Sequence, residues 1–370
     1  MAFVLNAAPT GSERGNELHT LATQTHFKLA ARLTFMKLVI SGAAGGIGSR
    51  LANRLHEQKQ HDLVLLDDLS GGHVSNLSED LQSILFVEKA EALPRSVLEK
   101  VASADVFIHL AESSSLAKCQ AEQETAFRSN FLSTVSLADA ARRSGAHLIF
   151  ASTSAVYEGL DDDLYTEDLS PSPHLVYPTS KYISELHLKG LFDSYGFPST
   201  VLRLFNVFGE HQDQSRKNPP LVNYIFRQLS KGQSVKLFAP QDQCRDYVYV
   251  EDVLDAIEMA MNKPAESFRV LNICSGRSIS IREIVAAVAL GANLKTLPIV
   301  QGNPEAIWDD FPDLFKGHYP LSKAVVESEV LKKSLGSFEK AAIELGWNPK
   351  TDILEAIREY SKQLKGPPRG

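Results

Sequence analysis

From position 37 to about 205 the chain alternates short apolar runs with longer stretches whose apolar residues recur at helical spacing. The runs, at 38–40, 63–66, 84–87, 106–110, 148–150 and 201–204, are continuous, as strands buried on both faces are. Between them, 47–56, 121–144 and 177–194 carry the period of amphipathic helices. Strands separated by helices predict six parallel strands with crossover helices, a doubly wound α/β sheet. Beyond Gly209 the texture changes. Asn218-Pro219-Pro220 predicts the start of a helix reaching 231, strand-like pieces follow at 235–238 and 269–273, and helices are expected over 251–261, 281–288 and 351–364. The expected division is therefore 36–206 for the sheet domain and mainly 207–365 for a smaller mixed α/β lobe, with some late elements returning to the first domain. Residues 1–35 show no steady period and end where Met36-Lys37-Leu38-Val39-Ile40 begins, so they are expected to be a disordered leader outside the fold.

Composition narrows the function. With 38 Lys plus Arg against 45 Asp plus Glu, the net charge of −7 argues against a surface that neutralises nucleic-acid phosphates. The three cysteines, Cys119, Cys244 and Cys274, are too few and too scattered for a disulfide framework or a paired-cysteine zinc site, so no metal is expected. No apolar run reaches the roughly 20 residues of a membrane span, and the start lacks the features of a secretory signal. A cytoplasmic protein without membrane or nucleic-acid partners is expected.

The first strand runs into Ser41-Gly42-Ala43-Ala44-Gly45-Gly46-Ile47-Gly48, with glycines spaced G-x-x-G-x-x-G ahead of a helical pattern. Small residues let backbone approach a pyrophosphate, and the following helix offers unpaired N–H groups and the positive end of its dipole. The second strand ends in Asp67, 19 residues past Gly48, where an acid accepts from ribose hydroxyls and repels a 2′-phosphate. NAD is thus favoured over NADP, with Asp68 the alternative acceptor; a turn or cap before Ser70-Gly71-Gly72 is the competing structural reading of either acid.

Tyr177-Pro178-Thr179-Ser180-Lys181 reads Y-x-x-x-K, which on a helix puts both side chains on one face. An ammonium beside a phenol favours phenolate and lowers its pKa toward working pH, as a base for an alcohol proton requires. Thr153, after the fifth strand, adds a hydroxyl that can hold a substrate oxygen.

These residues, in order and spacing, resemble the extended short-chain dehydrogenase/reductases, and among them the NAD-dependent epimerase/dehydratase family acting on nucleotide sugars. Besides those quoted, the resemblance is carried by His109-Leu110-Ala111, Asn130, Tyr157 four residues after Thr153, Arg203-Leu204-Phe205-Asn206, Arg245-Asp246-Tyr247 and Leu345-Gly346-Trp347-Asn348-Pro349. It spans Met36 to about Leu364 and implies a Rossmann-type sheet with a substrate-binding lobe. It makes Tyr177 the base, Lys181 its partner and nicotinamide-ribose ligand, and Thr153 the third member. It also puts Gly42, Gly45, Gly46, Ile47, Gly48, Asp67, Asp68, Leu110, Ala111 and Asn130 against NAD, and Thr153, Asn206 and Arg245 against the nucleotide sugar. For Arg245 a planar guanidinium fork independently suits a pyrophosphate, the competing reading being an ion pair with Asp246. A homodimer through the 121–144 and 177–194 helices is implied as well.

The chain departs from the family pattern at four places. Lys89-Ala90-Glu91 stands where an adenine-contacting Asp is usual, Glu112 replaces the second Ala of H-x-A-A, Glu158 replaces a Gly, and Phe315-Lys316-Gly317-His318-Tyr319 lacks an Arg-x-Gly-Asp element. Ser154-Ala155 follows Thr153 where similar dehydratases carry Asp-Glu, which disfavours dehydration. Oxidation and re-reduction at C4 needs only Thr153, Tyr177, Lys181 and NAD, so a nucleotide-sugar 4-epimerase is the simplest expectation. The alternatives are a dehydrogenase, reductase or dehydratase of the same family, or a non-catalytic dinucleotide-binding regulator.

Overall fold

The computed structural model describes residues 35–212 and 216–363; the expected leader falls, apart from Phe35, outside the described residues. Strands β1 (Met36–Ser41), β2 (His61–Asp67), β3 (Leu85–Val87), β4 (Val106–His109), β5 (His147–Thr153), β6 (Ser199–Leu204) and β7 (Phe268–Ile273) form one parallel sheet in the order β7-β6-β5-β4-β1-β2-β3. The order reverses at β1, whose Leu38 lies between Leu63 of β2 and Val106 of β4. At such a reversal the crossovers leave in opposite directions and a crevice opens at the carboxyl ends of the strands. The turn after β1 and the loop after β4 both open there.

Both faces of the sheet are covered, which explains the unbroken apolar runs. Along β1, Leu38 and Ile40 face α1 (Gly46–Gln58), while Val39 packs with Phe107, Leu137 and Leu188 beneath α2 (Ser133–Ser144) and α3 (Val176–Tyr195). Burying each such side chain is worth about 1.5–3 kcal/mol, and α1 and α3 each stop at a left-handed residue, Lys59 and Gly196.

Two expectations are corrected. The segment 269–273 is the seventh strand of the main sheet and not a piece of the lobe, because it pairs along its length with β6, from Phe268 opposite Ser199 to Ile273 opposite Leu204. The stretch 121–144 is also not one helix. Short helices Leu116–Ala121 and Gln123–Phe127 and a π turn over Arg128–Leu132 precede α2. The π turn carries Asn130 into the interior, where its amide donates to the carbonyl of Ser113 and to Ser180 Oγ while its Oδ1 accepts from Ser113 N–H.

The lobe is built from α4 (Leu221–Ser230), α6 (Ile281–Gly291) and α8 (Ile353–Ser361), which share a core of Val222, Ile225, Ile284, Val288, Ile353 and Ile357. Between them α5 (Val250–Asn262) returns to the sheet, burying Val253, Leu254 and Ile257 against it. Arg50 and Arg54 on α1 pair with Glu251 on α5, and Arg54 also reaches Asp255 and Glu258. Near the chain end, residues 303–322 form short turns whose Trp308, Leu314 and Phe315 pack with Ala117, Leu175 and Val326, the last from α7 (Lys323–Leu331).

Candidate active site

A cavity of about 660 Å³ runs from the β1–α1 turn, past the end of β5, into the lobe. At one end the turn residues Gly42, Gly45, Gly46, Ile47 and Gly48 form its wall. Gly42 has φ +72°, and a Cβ there would meet the backbone nitrogen of Ala111 at 2.7 Å, so the turn lies directly on the loop after β4. Helix α1 has Gly45 at its N-cap, with no side-chain cap and no acid in its first turn, leaving its N–H groups for an anion. Bare backbone, a positive helix end and the room beside them fit the pyrophosphate of a dinucleotide.

Asp67 closes this end of the cavity. Its Oδ2 accepts from Ala44 N–H and its Oδ1 from Leu69 N–H, both at 2.8 Å, tying the end of β2 to the glycine turn. Burial raises its pKa, and the backbone N–H groups of Ala44, Leu69 and Gly45 oppose that shift. Each oxygen keeps a lone pair for a further donor. Asp68 is exposed, lines the same wall and accepts from Ser70 N–H. Both acids thus make the hydrogen bonds of the turn reading and also line the cavity. Leu110 and Ala111 line the opposite wall; Asn130, by contrast, is fully buried behind it, fixing the backbone of Ser113.

In the middle of the cavity Thr153, Tyr177 and Glu112 meet. Helix α3 carries Tyr177 and Lys181 one turn apart, and Glu158 accepts from the N–H groups of His174 and Leu175, the two residues that lead into that helix. The replacement of glycine by Glu158 thus places a negative charge at a helix N-terminus. Thr153 accepts from Ala155 N–H at 3.2 Å, which leaves its own hydroxyl hydrogen to donate. Tyr177 donates to Glu112, 3.2 Å from Oε1 and 3.4 Å from Oε2.

Lys181 is 1% exposed, and its ammonium forms an ion pair with Glu112 Oε2 at 2.8 Å and sits 4.2 Å from the centre of the Phe150 ring. Neighbouring His109 is fully buried between Ser41, Ser133 and Thr134, and burial together with the Lys181 charge holds it well below its usual pKa. The expected effect of Lys181 on Tyr177 is corrected here. Burial and the Glu112 charge push the Tyr177 phenol well above its usual pKa, with only the Thr153 hydroxyl pulling the other way. Lys181 is neutralised by Glu112 and lies behind the cavity wall, not on it.

At the far end, Asn206 and Arg245 line the lobe side of the cavity. Asn206 donates to the carbonyl of Asp246. Arg245 bonds the carbonyls of Glu329 and Val330 and pairs with the Glu329 carboxylate at 3.6 Å, so its acidic partner is Glu329 and not Asp246. Asp246 is buried and accepts from Ser275, Gly276 and Gly336. Trp308 and Ile307, from the turns of 303–322, add apolar wall, a contribution with no local sequence signal.

A family model described as the NAD dependent epimerase/dehydratase family matches residues 38–274, more than half of the chain. The chain belongs to that family. Its cofactor is NAD, in keeping with the glycine turn and Asp67. The UDP-glucose 4-epimerase of Mycolicibacterium smegmatis is 28% identical over 328 residues, 87% of this chain and 96% of that one. The solved UDP-glucose 4-epimerase of Thermotoga maritima with UDP-glucose superposes with a TM-score of 0.75 at 26% identity, covering 88% and 98% of the two chains. That of Thermus thermophilus, complexed with NAD, gives 0.72 at 26% identity over 89% and 99%.

Proposed function

We propose that this chain is an NAD-dependent nucleotide-sugar 4-epimerase that works through a transient 4-keto sugar, with a UDP-hexose as substrate. The observation that carries the reading is one continuous cavity lined by the glycine turn, by Thr153 and Tyr177, and by Asn206 and Arg245. The enzymes named UDP-glucose 4-epimerase that align with nearly the whole chain support the choice of substrate.

When bound, NAD supplies a hydride acceptor that becomes the donor for the return step. The protein does the rest. The N–H groups at the start of α1 hold the pyrophosphate and Asp67, with Asp68 beside it, holds the adenosine ribose. Thr153 donates to the substrate oxygen and orients its hydroxyl at Tyr177, which takes the proton and later returns it. Arg245 and Asn206 anchor the nucleotide diphosphate while the ketosugar turns its other face. Ser154 and Ala155 offer no acid and base for loss of water, which favours epimerisation over dehydration.

Asp67 at the ribose end leads to a binding prediction. NAD should bind at least about tenfold more tightly than NADP, a gap of about 1.4 kcal/mol, and Asp67→Asn should narrow it. Titration calorimetry with both dinucleotides measures this; equal affinities for the wild-type protein would remove Asp67 from cofactor choice.

The same reading includes a cytoplasmic homodimer. The helices of 116–144 and α3 leave Leu132 and Leu186 exposed on their outer faces, with Phe131 against His187 between them, and a second copy would cover these apolar side chains. Light scattering at micromolar concentration should give twice the 40.7 kDa chain mass, and Leu186→Glu should give the single chain. A monomeric wild-type protein would rule the dimer out. Among the described residues no helix is long and apolar enough to cross a membrane.

The function is tested by incubating the purified protein with a panel of nucleotide sugars and resolving products by NMR. Interconversion of C4 epimers without added reductant is expected; a 4-keto-6-deoxy product or net dinucleotide turnover would replace the reading with dehydration or dehydrogenation.

A further inference from the structure

Two groups on the cavity wall and a buried lysine behind it are arranged in a line that the family pattern does not contain. Tyr177 Oη points its proton at Glu112, and Glu112 Oε2 pairs with Lys181 Nζ. An alanine at 112, as the family pattern has it, would put no carboxylate beside the lysine and the phenol. We infer that Glu112 is the resting acceptor for the substrate proton, which passes to it through Tyr177. The inference rests on the epimerase reading and deepens it.

A tyrosine can act as a base in two ways. It can stand as phenolate, or it can stay neutral and pass its own proton on as it receives another. The first needs an unopposed cation beside the oxygen, and here the Lys181 ammonium is already paired. The second needs an anionic acceptor in contact with the phenol oxygen, and Glu112 is that group. Its side chain is 23% exposed and lines the cavity, so it is poised at the reacting end of the site.

Proton and electron balance follow. As the C4 hydride leaves for NAD, the C4 hydroxyl proton moves to Tyr177 Oη and the former phenolic proton moves to a Glu112 oxygen. The C4–O bond becomes a carbonyl, Tyr177 is neutral before and after, and Glu112 becomes a carboxylic acid still bonded to the Lys181 ammonium. On return, the Glu112 proton goes back to Tyr177, whose own proton goes to the carbonyl oxygen as hydride reaches the opposite face of C4.

The charged and titratable surroundings of Glu112 are consistent with this role. Tyr177 and Lys181 face it from α3. Cys119 on the Leu116–Ala121 helix is held as a thiol by burial, its pKa pushed up to about 11, with Glu112 adding to that shift and Lys118 and Arg216 opposing it. Buried His109 lies beyond Lys181 and is neutral. Thr153 completes the ring from β5. Among these, Glu112 is the one carboxylate in contact with the phenol.

The test compares Glu112→Gln, which keeps size and hydrogen bonding but cannot hold the proton as a carboxylate does, with Glu112→Ala, which restores the usual small residue. Circular dichroism and NAD titration establish that each variant folds. Hydride transfer is read as NADH absorbance in single turnovers of NAD-loaded protein with UDP-glucose, a step common to epimerases and dehydrogenases. Glu112→Gln should lose at least about 100-fold in this rate with NAD affinity within a few-fold of wild type.

A second readout needs no substrate. Tyrosinate absorbance, with Tyr177→Phe subtracted, should show Tyr177 ionising at lower pH in Glu112→Gln and Glu112→Ala than in wild type, because the opposing carboxylate is gone and Lys181 is left facing the phenol. Near-wild-type hydride transfer in Glu112→Gln overturns the inference, as does an unchanged Tyr177 titration. If the wild-type protein transfers no hydride from any nucleotide sugar, the epimerase reading fails, and the titration alone decides whether Glu112 governs the Tyr177 proton.

Discussion

Tyr177→Phe should lower turnover by about 10²- to 10⁴-fold, the usual worth of a positioned acid–base group, with little change in folding or NAD affinity. The substitution removes one oxygen, whose contacts are with Glu112 and Thr153. The ring remains packed on Cys119 and Ala126, and Glu112 keeps its ion pair with Lys181. The lost oxygen is the link in this arrangement between the sugar hydroxyl and Glu112, and the phenylalanine ring carries nothing to replace it. Single-turnover absorbance and steady-state rates measure the loss, and NAD titration measures what is retained. Turnover within a few-fold of wild type would take Tyr177 out of the mechanism.

Gly48→Ala should weaken NAD binding by at least about tenfold, about 1.4 kcal/mol, and lower the melting temperature. A Cβ at this position would lie 2.0 Å from the Gly42 carbonyl oxygen and 3.0 Å from Ala43 Cα. Both are backbone atoms of the same turn, so the first turn of α1 must swing away from the residues that shape the phosphate end of the cavity. Overpacking of this kind costs about 1–3 kcal/mol. NAD should raise the melting temperature of the wild-type protein by binding only the folded state, and this rise should shrink in the variant. Gly46→Ala is the milder comparison, since its Cβ would come no closer than 3.2 Å, to a Gln212 side-chain atom. Equal effects of the two would show that the close approach at Gly48 is not what shapes the turn.

Those two positions were legible in the sequence because their chemistry is local. A glycine turn between strand and helix, an acid 19 residues on and a Y-x-x-x-K spacing are each set by a few neighbouring residues. What the sequence hid depends on distant pairing. Residues 269–273 read as a short strand of the lobe, and only register with β6 assigns them to the main sheet. The helical period of 121–144 does not show where a π turn inserts, because the reason for it is the burial of Asn130 against the loop at Ser113. Arg245 stands next to Asp246 in sequence, yet strand geometry sends its side chain to Glu329 and points Asp246 at backbone donors. Glu112 and Glu158 were visible as departures from a pattern. Their partners, 65 and 16 residues away, were not.

The central claim is that C4 is oxidised and re-reduced inside one protein with the same hydride. It is tested most directly with UDP-glucose carrying deuterium at C4, incubated with the NAD-loaded protein in ordinary water and followed by NMR. UDP-galactose should appear with the deuterium still on C4 and without accumulation of free NADH. Deuterium washed into solvent, label collected in released NADH, or no C4 epimer at all would contradict the mechanism.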